Sequence, residues 1–212
     1  MKKLCNIAKE KSNNNRLKKY NLFIKYFSPL ESHKILDIGP TEKEYHESDN
    51  LLEKKYPFPE KITALGINEF KEFCIRYPKV KAVNYNGDDF PFKENEFDFC
   101  WSNAVLEHVG DVQKQTKFLR EIKRVSKKAF VATPNKYFPI EVHTKIPFIH
   151  FLPKALFDKF LCLIGKAWAA GQYMNLLNLR EIRLLLERCG INEYKIIKNK
   201  ISGFTVDFII IF

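Results

Sequence analysis

Polar residues and glycines follow three successive apolar runs in the first half of the chain, where an open parallel sheet places its ligand-binding residues. They are Asp37, Gly39 and Pro40 after the first run, Asn68 and Glu69 after the second, and Asn86, Gly87 and Asp88 after the third. A glycine lets the backbone approach a ligand closely, and a nearby carboxylate can organise the loop or bind an ammonium group. Acidic and amide side chains can accept hydrogen bonds from ribose hydroxyls, and polar groups can meet an adenine edge. The three groups together indicate a ligand site at one edge of a sheet.

A further polar segment, residues 133–144, follows a later apolar run. Within it His143 could act as a general base that takes a proton from a hydroxyl group, oriented by Glu141. The same two side chains could instead pin this segment to the rest of the domain. The residues alone leave both interpretations open.

The apolar runs themselves predict the elements that position these residues. Strands are predicted at 34–39, 62–67, 80–85, 97–102 and 129–133. The closing segments 194–197 and 204–212 have no helix between them, which predicts an antiparallel pair at the sheet edge. Because strands alternate with helices, the fold class predicted is α/β, with a doubly wound and mostly parallel sheet.

Helical spacing is clearest in three places. A first helix is predicted to end near Pro29, with an apolar stripe made of Leu17, Tyr20, Ile24 and Phe27. A second is predicted after Asp111, a suitable N-cap residue. A third is predicted from Asn178, with Glu181 three residues on as in a capping box and Gly190 at its end.

The ordered series KILDIGP, ALGINEF, YNGDDFPFKENEFDFCWSNAVLEHV and FLREIKRVSKKAFVATPN resembles the class I S-adenosylmethionine-dependent methyltransferases. The resemblance covers roughly residues 30–135 and the closing strands, and it implies a Rossmann-like, seven-stranded fold with S-adenosyl-L-methionine as cofactor. It places Asp37 and Gly39 beside the methionine part, Asn68 at the ribose and Asn86 with its neighbours at the adenine. Asn103 and His108 would line the other side of the cofactor, although His108 could equally be a structural hydrogen-bonding residue.

The sequence departs from that family at three places. The later glycines of the first loop are replaced by Thr41, Glu42 and Lys43, and the usual acids after the second and third strands are Asn68 and Asn86. An asparagine loses the charge-assisted share of a hydrogen bond. We expect Glu69 or Asp88 to compensate. A non-catalytic binding protein on the same scaffold therefore stays an alternative, whereas a dehydrogenase fits less well because a GxGxxG turn is missing.

Composition limits the partners. The chain has 212 residues with five scattered cysteines, a pattern that predicts neither a disulfide framework nor a metal site. The formal net charge of +11 favours an anionic partner, so RNA methylation is a second alternative, although nucleic acid is the less favoured partner. No segment resembles a leader peptide or a spanning helix, and we therefore expect a cytoplasmic protein.

Two segments flank or interrupt the expected methyltransferase domain of residues 16–212. Residues 1–15 are polar and asparagine-rich, and are expected to form a flexible basic arm. Residues 137–175 are longer than a linker requires and are expected to form a lid. The lid's apolar face, set among lysines, consists of Leu156, Phe157, Phe160, Leu161, Ile164 and Trp168. Such a face suits either packing on the domain or peripheral contact with an anionic inner membrane surface, with a small-molecule or lipid-linked substrate.

Overall fold

A computed structural model of the protein describes residues 2–139, 154–163, 165 and 174–212. The centre is a seven-stranded sheet with strand order β3-β2-β1-β4-β5-β7-β6. The strands are β1 Ile35–Ile38, β2 Ile62–Gly66, β3 Lys81–Asn84, β4 Phe97–Asn103, β5 Ser126–Pro134, β6 Lys195–Ile201 and β7 Phe204–Ile211. Strands β1, β2, β3 and β4 pair in parallel, and β6 pairs with β7 antiparallel. The predicted α/β fold, mostly parallel with an antiparallel closing pair, is confirmed.

Six helices lie among the described residues. They are α1 Lys2–Phe27, α2 Leu51–Lys55, α3 Lys71–Arg76, α4 Val112–Val125, α5 Lys154–Leu163 and α6 Leu179–Arg188. None of them, within the part of the chain that the structure describes, is long and apolar enough to cross a membrane.

The chain divides into two compact units, the first being Met1–Ser102 with Ile122–Phe130 and the second Asn103–Glu121 with Val131–Phe212. In the first unit the core is aromatic and centres on Phe23 of α1, which is fully buried. Its ring makes edge contacts with Phe99, Trp101 and Phe130, at centroid distances of 6.4, 5.3 and 5.9 Å. Aromatic pairs of this kind add stability beyond the area that they bury. The predicted stripe on α1 is therefore rotated, because Phe23 belongs to it whereas Leu17 is 37% exposed.

Helix α1 begins at Lys2, within the segment that the sequence predicted to be a flexible arm. Two of its polar side chains meet the loop before α2. The Ser48 hydroxyl donates to Asn13 Oδ1 at 2.6 Å, and Arg16 forms an ion pair with Asp49. Such distant contacts leave no local pattern in a single sequence.

In the second unit α6 has the capping box that its sequence predicts. Asn178 Oδ1 accepts the N–H groups of Arg180 and Glu181 at 2.9 and 3.0 Å, and Glu181 accepts the Asn178 N–H at 2.8 Å. Gly190 follows with φ 64°, in the left-handed region that ends many helices. Asp111 caps α4 in the same way, by accepting the N–H groups of residues 113 and 114.

Both edges of the sheet carry exposed lysines. The edge strand β3 has Lys81, and the opposite edge strand β6 has Lys195, Lys198 and Lys200. An edge strand presents unpaired backbone groups, and charged side chains there oppose pairing with another chain.

Replacing Asn178 by alanine removes the side-chain half of the capping box, and we expect the free energy of unfolding to fall by about 1 kcal/mol. Urea denaturation followed by circular dichroism measures this. Arg180→Ala, on the exposed side of the same turn, is the matched control and should change stability little. Equal effects of the two variants would contradict the capping assignment.

Candidate functional site

The carboxyl ends of three parallel strands of the first unit meet at one edge of the sheet. Asp37 and Ile38 lie opposite Ala64 and Leu65 of β2, and Leu65 lies opposite Val83 of β3. The residues that follow β1, β2 and β3 therefore emerge side by side. This register brings together the three groups of residues that the sequence singled out.

Gly39 comes directly after β1 and turns the chain out of the sheet. Its φ is 79°, a conformation that side-chain-bearing residues rarely adopt, and its N–H donates to the Leu65 carbonyl at 2.9 Å. Gly39 is exposed and Pro40 is half-buried. The backbone at this turn is thus exposed at the end of β1.

Asp37 lies inside the sheet and is only 4% exposed. Helix α2 brings a second acid, Glu53, against it, and Glu53 is 5% exposed. The two carboxyls lie close enough to share a hydrogen bond.

Burial raises the pKa of Asp37 well above its usual range, and the charge of Glu53 and a hydrogen bond between the two carboxyls raise it further. Burial also raises the pKa of Glu53, although the hydrogen bond with Asp37 partly offsets this. Two ionised carboxylates in contact at low dielectric repel strongly, and this repulsion favours the protonated form of one of them.

The loop from Gly39 to α2 is held by side chains in place of the missing glycines. Asn50 Oδ1 accepts the Thr41 N–H at 2.9 Å, and Asn50 Nδ2 donates to the Thr41 carbonyl at 2.9 Å. Asp49 accepts the N–H groups of Tyr45 and His46 at 2.8 and 2.9 Å. Thr41, which stands where the family has a glycine, is therefore held by hydrogen bonds with Asn50, and these bonds fix the loop that leads to α2.

Glu42 joins the same loop to the start of α3. Its carboxylate accepts the N–H groups of Glu72 and Phe73 at 2.6 and 3.2 Å, and its carbonyl accepts a hydrogen bond from Arg76. Unpaired N–H groups of a helix start attract an anion. Helix α3 begins at Lys71, two residues after Glu69. Glu42 therefore attaches the loop to the helix that follows the turn at Asn68 and Glu69.

The turns after β2 and β3 are exposed. Glu69 forms an ion pair with Lys71 at 2.6 Å, and the Asn68 carbonyl accepts a hydrogen bond from the Asn84 side chain. Asn86 Oδ1 accepts the Asp88 N–H at 3.0 Å, which closes a local turn. Gly87 has φ 88°, and among the described residues a side chain there would meet only Ile67, at 3.8 Å.

In the second unit, Asn103 ends β4 and a short 3-10 turn, Leu106–His108, follows. Asn103 Oδ1 is buried and has no hydrogen-bond partner among the described residues. His108 Nε2 lies 3.8 Å from Glu107 Oε1, and Thr133 Oγ1 donates to Glu107 Oε2 at 3.1 Å. His108 therefore lies beside a buried carboxylate.

Hydrogen bonds join the chain on the two sides of the predicted lid segment 137–175. Lys136 N–H donates to the Leu177 carbonyl at 3.0 Å, and Asn135 forms a parallel bridge with Leu177. Asn175 N–H donates to the Glu107 carbonyl at 2.8 Å, so the returning chain is also tied to the turn after β4. Glu141 and His143, the predicted orienting residue and base, lie outside the described residues.

Sequence reasoning missed three residues that shape the site: Glu53, Glu42 and Arg16. No local pattern marks Glu53, which stands among leucines and lysines in a five-residue helix. The available signal was indirect, because an aspartate inside an apolar strand needs a polar neighbour.

Comparisons with known proteins agree with this geometry. Residues 57–129 match the family model described as a methyltransferase domain. Among solved structures, a SAM-dependent methyltransferase from Aquifex aeolicus is 17% identical, with a TM-score of 0.56 over 90% of this chain and 87% of that one. A SAM-dependent methyltransferase from Methanosarcina mazei is 18% identical, with a TM-score of 0.54 over 89% of this chain and 95% of that one.

A third structure similar to this chain is the N-terminal domain of EvdMO1 with SAH bound. It is 16% identical, with a TM-score of 0.55 over 93% of this chain and 79% of that one. A comparison with curated protein sequences finds no significant match. At these identities the solved structures establish a shared fold.

Replacing Glu53 by glutamine should stabilise the protein at neutral pH. Groups whose pKa is raised on folding contribute stability that is complete below the unfolded pKa and is lost as pH rises through the folded pKa. The wild type should therefore lose stability from about pH 4 upward. Glu53→Gln removes one charge and offers an N–H to Asp37. Near neutral pH the free energy of unfolding of this variant should therefore exceed that of the wild type by on the order of 1–3 kcal/mol. Denaturant unfolding at a series of pH values measures this.

Glu44→Gln is the control of opposite sign. Burial opposes ionisation there, but hydrogen bonds from Lys54 and Tyr77 lower the pKa of Glu44. Its stabilising effect is present above the ordinary carboxyl pKa and is lost as pH falls, so the glutamine variant should be less stable at neutral pH. A Glu53→Gln variant that is less stable than wild type at every pH would contradict the shared-proton description.

Proposed function

We propose that this class I S-adenosylmethionine-dependent methyltransferase transfers its methyl group to an oxygen of a small-molecule or lipid-linked acceptor. Its family and cofactor follow from the methyltransferase-domain match at residues 57–129 together with the shared fold. The proposed site rests on the open turns after β1, β2 and β3, which the parallel register brings to one edge of the sheet. Ligands bind at this edge in open α/β sheets.

The described residues fit the cofactor. Asp37 and Glu53 are buried acids that lie against one another, and an acidic group beside the turn after β1 suits the ammonium of the methionine part. Gly39 opens the backbone beside them, and Asn68 and Asn86 are exposed at the next two turns to meet the ribose and adenine. When bound, S-adenosyl-L-methionine supplies an electrophilic methyl group for in-line transfer, which requires positioning above all.

For an oxygen acceptor, we propose that His143 takes the proton of the acceptor's hydroxyl group. A hydroxyl becomes a better nucleophile when a base takes its proton, and Glu141 would hold the imidazole in position. The adjoining Asn135 anchors this segment, because its N–H donates to the Val206 carbonyl at 2.8 Å and its Nδ2 donates to the Thr205 carbonyl at 2.9 Å. The chain that carries His143 thus leaves the sheet from a fixed point.

Two observations support the acceptor class. The N-terminal domain of EvdMO1 has a structure in the presence of SAH and D-fucose, and a sugar presents hydroxyl oxygens. On α5, Leu156 and Leu163 are 53% and 84% exposed, which suits an apolar acceptor or peripheral contact with an anionic membrane. We accordingly propose a cytoplasmic protein that works at or near the inner membrane surface.

Calorimetric titration should detect binding of S-adenosylhomocysteine by the wild type and tighter binding by Asn68→Asp. A carboxylate makes a stronger hydrogen bond to a ribose hydroxyl than an amide does, by about 1 kcal/mol, or roughly fivefold in affinity. Asn21→Asp, on the exposed side of α1, adds the same charge elsewhere and should leave the affinity unchanged. Absence of binding by wild type and Asn68→Asp alike would favour the non-catalytic scaffold.

Replacing His143 by alanine should lower turnover by about 100-fold or more while the affinity for S-adenosylhomocysteine stays the same. The measurement is transfer of a labelled methyl group to a panel of free and lipid-linked hydroxylated acceptors. Glu141→Gln should cause a smaller loss, because it acts through the imidazole. If the two residues only pin the segment, both variants should lower stability to the same extent.

A further inference from the structure

The loop between β1 and α2, residues 39–50, is attached to α1 by polar side chains. Arg16 forms an ion pair with Asp49 Oδ1. One turn earlier on α1, Asn13 Oδ1 accepts the Ser48 hydroxyl at 2.6 Å. Ser48 and Asp49 are 8% and 6% exposed, so the side of both contacts that belongs to the loop is buried. Helix α1 therefore holds the end of the loop that leads into α2.

Asp49 connects this attachment to the backbone of the loop. Its Oδ2 atom accepts the N–H groups of Tyr45 and His46 at 2.8 and 2.9 Å. Burial opposes ionisation of this carboxyl, but the hydrogen bond from the Tyr45 N–H and the charge of Arg16 lower its pKa from the usual value. Removing the cation from a buried carboxylate is strongly destabilising. Arg16 therefore stabilises the path of the chain from Tyr45 to Asp49.

Asn50 joins Asp49 to the turn after β1. Its φ of 50° and ψ of 47° lie in the left-handed region, which is uncommon for a residue with a side chain. Its Oδ1 atom accepts the Thr41 N–H at 2.9 Å and the Thr41 hydroxyl at 3.2 Å, and its Nδ2 atom donates to the Thr41 carbonyl at 2.9 Å. Thr41 comes two residues after Gly39. The Asn50 side chain therefore fixes the backbone next to the turn.

The segment after this turn has little freedom to adapt to a ligand. Thr41, Glu42 and Lys43 all carry side chains, and such residues have fewer backbone conformations than glycine. A binding loop that is held beforehand in its bound conformation avoids the entropy cost of ordering it on binding. The contacts of Arg16 and Asn50 can hold the loop in this way, because they act beside the turn and leave its backbone exposed.

We propose that Arg16 and Asn50 are positioning residues for the cofactor. Arg16 holds Asp49 and Asn50 holds Thr41, so that the turn at Gly39 keeps the conformation that binds S-adenosyl-L-methionine. The proposal rests on the proposed function, since it concerns the same site. It also links cofactor binding to the attachment of α1. Such a link is reciprocal, so the cofactor must strengthen the attachment by the same factor by which the attachment raises the affinity.

Calorimetric titration with S-adenosylhomocysteine measures the affinity without turnover. Arg16→Ala and Asn50→Gly should each weaken binding by about fivefold or more, while the number of molecules bound per chain stays that of the wild type. Glycine adopts the backbone conformation of Asn50 freely, so Asn50→Gly removes the side-chain contacts alone. The matched controls are Lys25→Ala, an exposed charge in the last turn of α1, and Asn95→Gly, an exposed asparagine with φ 53°. Both controls should bind as the wild type does.

A double variant and hydrogen exchange test the link to α1. Asp49→Asn should also weaken binding, and Arg16→Ala combined with Asp49→Asn should lose no more affinity than the weaker single variant, because both changes break one contact. Amide hydrogen exchange of residues 10–16 should slow when S-adenosylhomocysteine binds the wild type. In Asp49→Asn the same ligand should slow that exchange less.

The outcomes separate this inference from the proposed function. Failure of the wild type to bind S-adenosylhomocysteine would overturn the proposed function and, with it, the inference. Wild-type affinity in Arg16→Ala and Asn50→Gly, or equal losses in these variants and their controls, would overturn the inference and leave the proposed function standing. Variants that are merely less stable would bind fewer molecules at unchanged affinity, and that result would also overturn the inference. Equal exchange of residues 10–16 with and without the ligand would do the same.

Discussion

The first unit is organised around a carboxyl group in a strand that is buried at every position. Strand β1 is flanked by β2 and β4, and its residues Ile35, Leu36 and Ile38 contribute only apolar side chains. Asp37 is the exception, and its burial carries a desolvation cost that folding must offset. Helix α2 places a second acid, Glu53, beside it, so the first unit buries two neighbouring carboxyls at this point.

The loop between β1 and α2 satisfies that constraint without the usual glycines. Its shape is held by the Asn50–Thr41 hydrogen bonds, by the Asp49 carboxylate and by the attachment of Glu42 to α3. Helix α1 adds Arg16, which pairs with Asp49. Because Phe23 of the same helix fills the aromatic core, the packing of α1 and the geometry of the loop are parts of one arrangement.

The fold was predictable because its signals are local. Most strands of the sheet contain an apolar run, and the capping box at Asn178 and the stop at Gly190 are set within a few residues of sequence. The turns after β1, β2 and β3 followed from the strand ends. In contrast, the contacts of Arg16, Glu42 and Glu53 join residues 16 to 34 positions apart, or lie across two elements, and no periodicity reports them. The stripe on α1 was misplaced because Phe23 and Ile24 are both apolar, and tertiary contacts with β4 decided which of them is buried.

The lysines on the two edge strands contribute to the net charge of the protein and oppose edge-to-edge association of its copies. With Lys81 at one margin and Lys195, Lys198 and Lys200 at the other, two copies that approach edge to edge bring like charges together before any backbone hydrogen bond can form. This barrier is electrostatic and acts over about 10 Å at moderate ionic strength, so it weakens as salt is added. The tendency of the protein to associate edge to edge should therefore increase with the ionic strength of its surroundings.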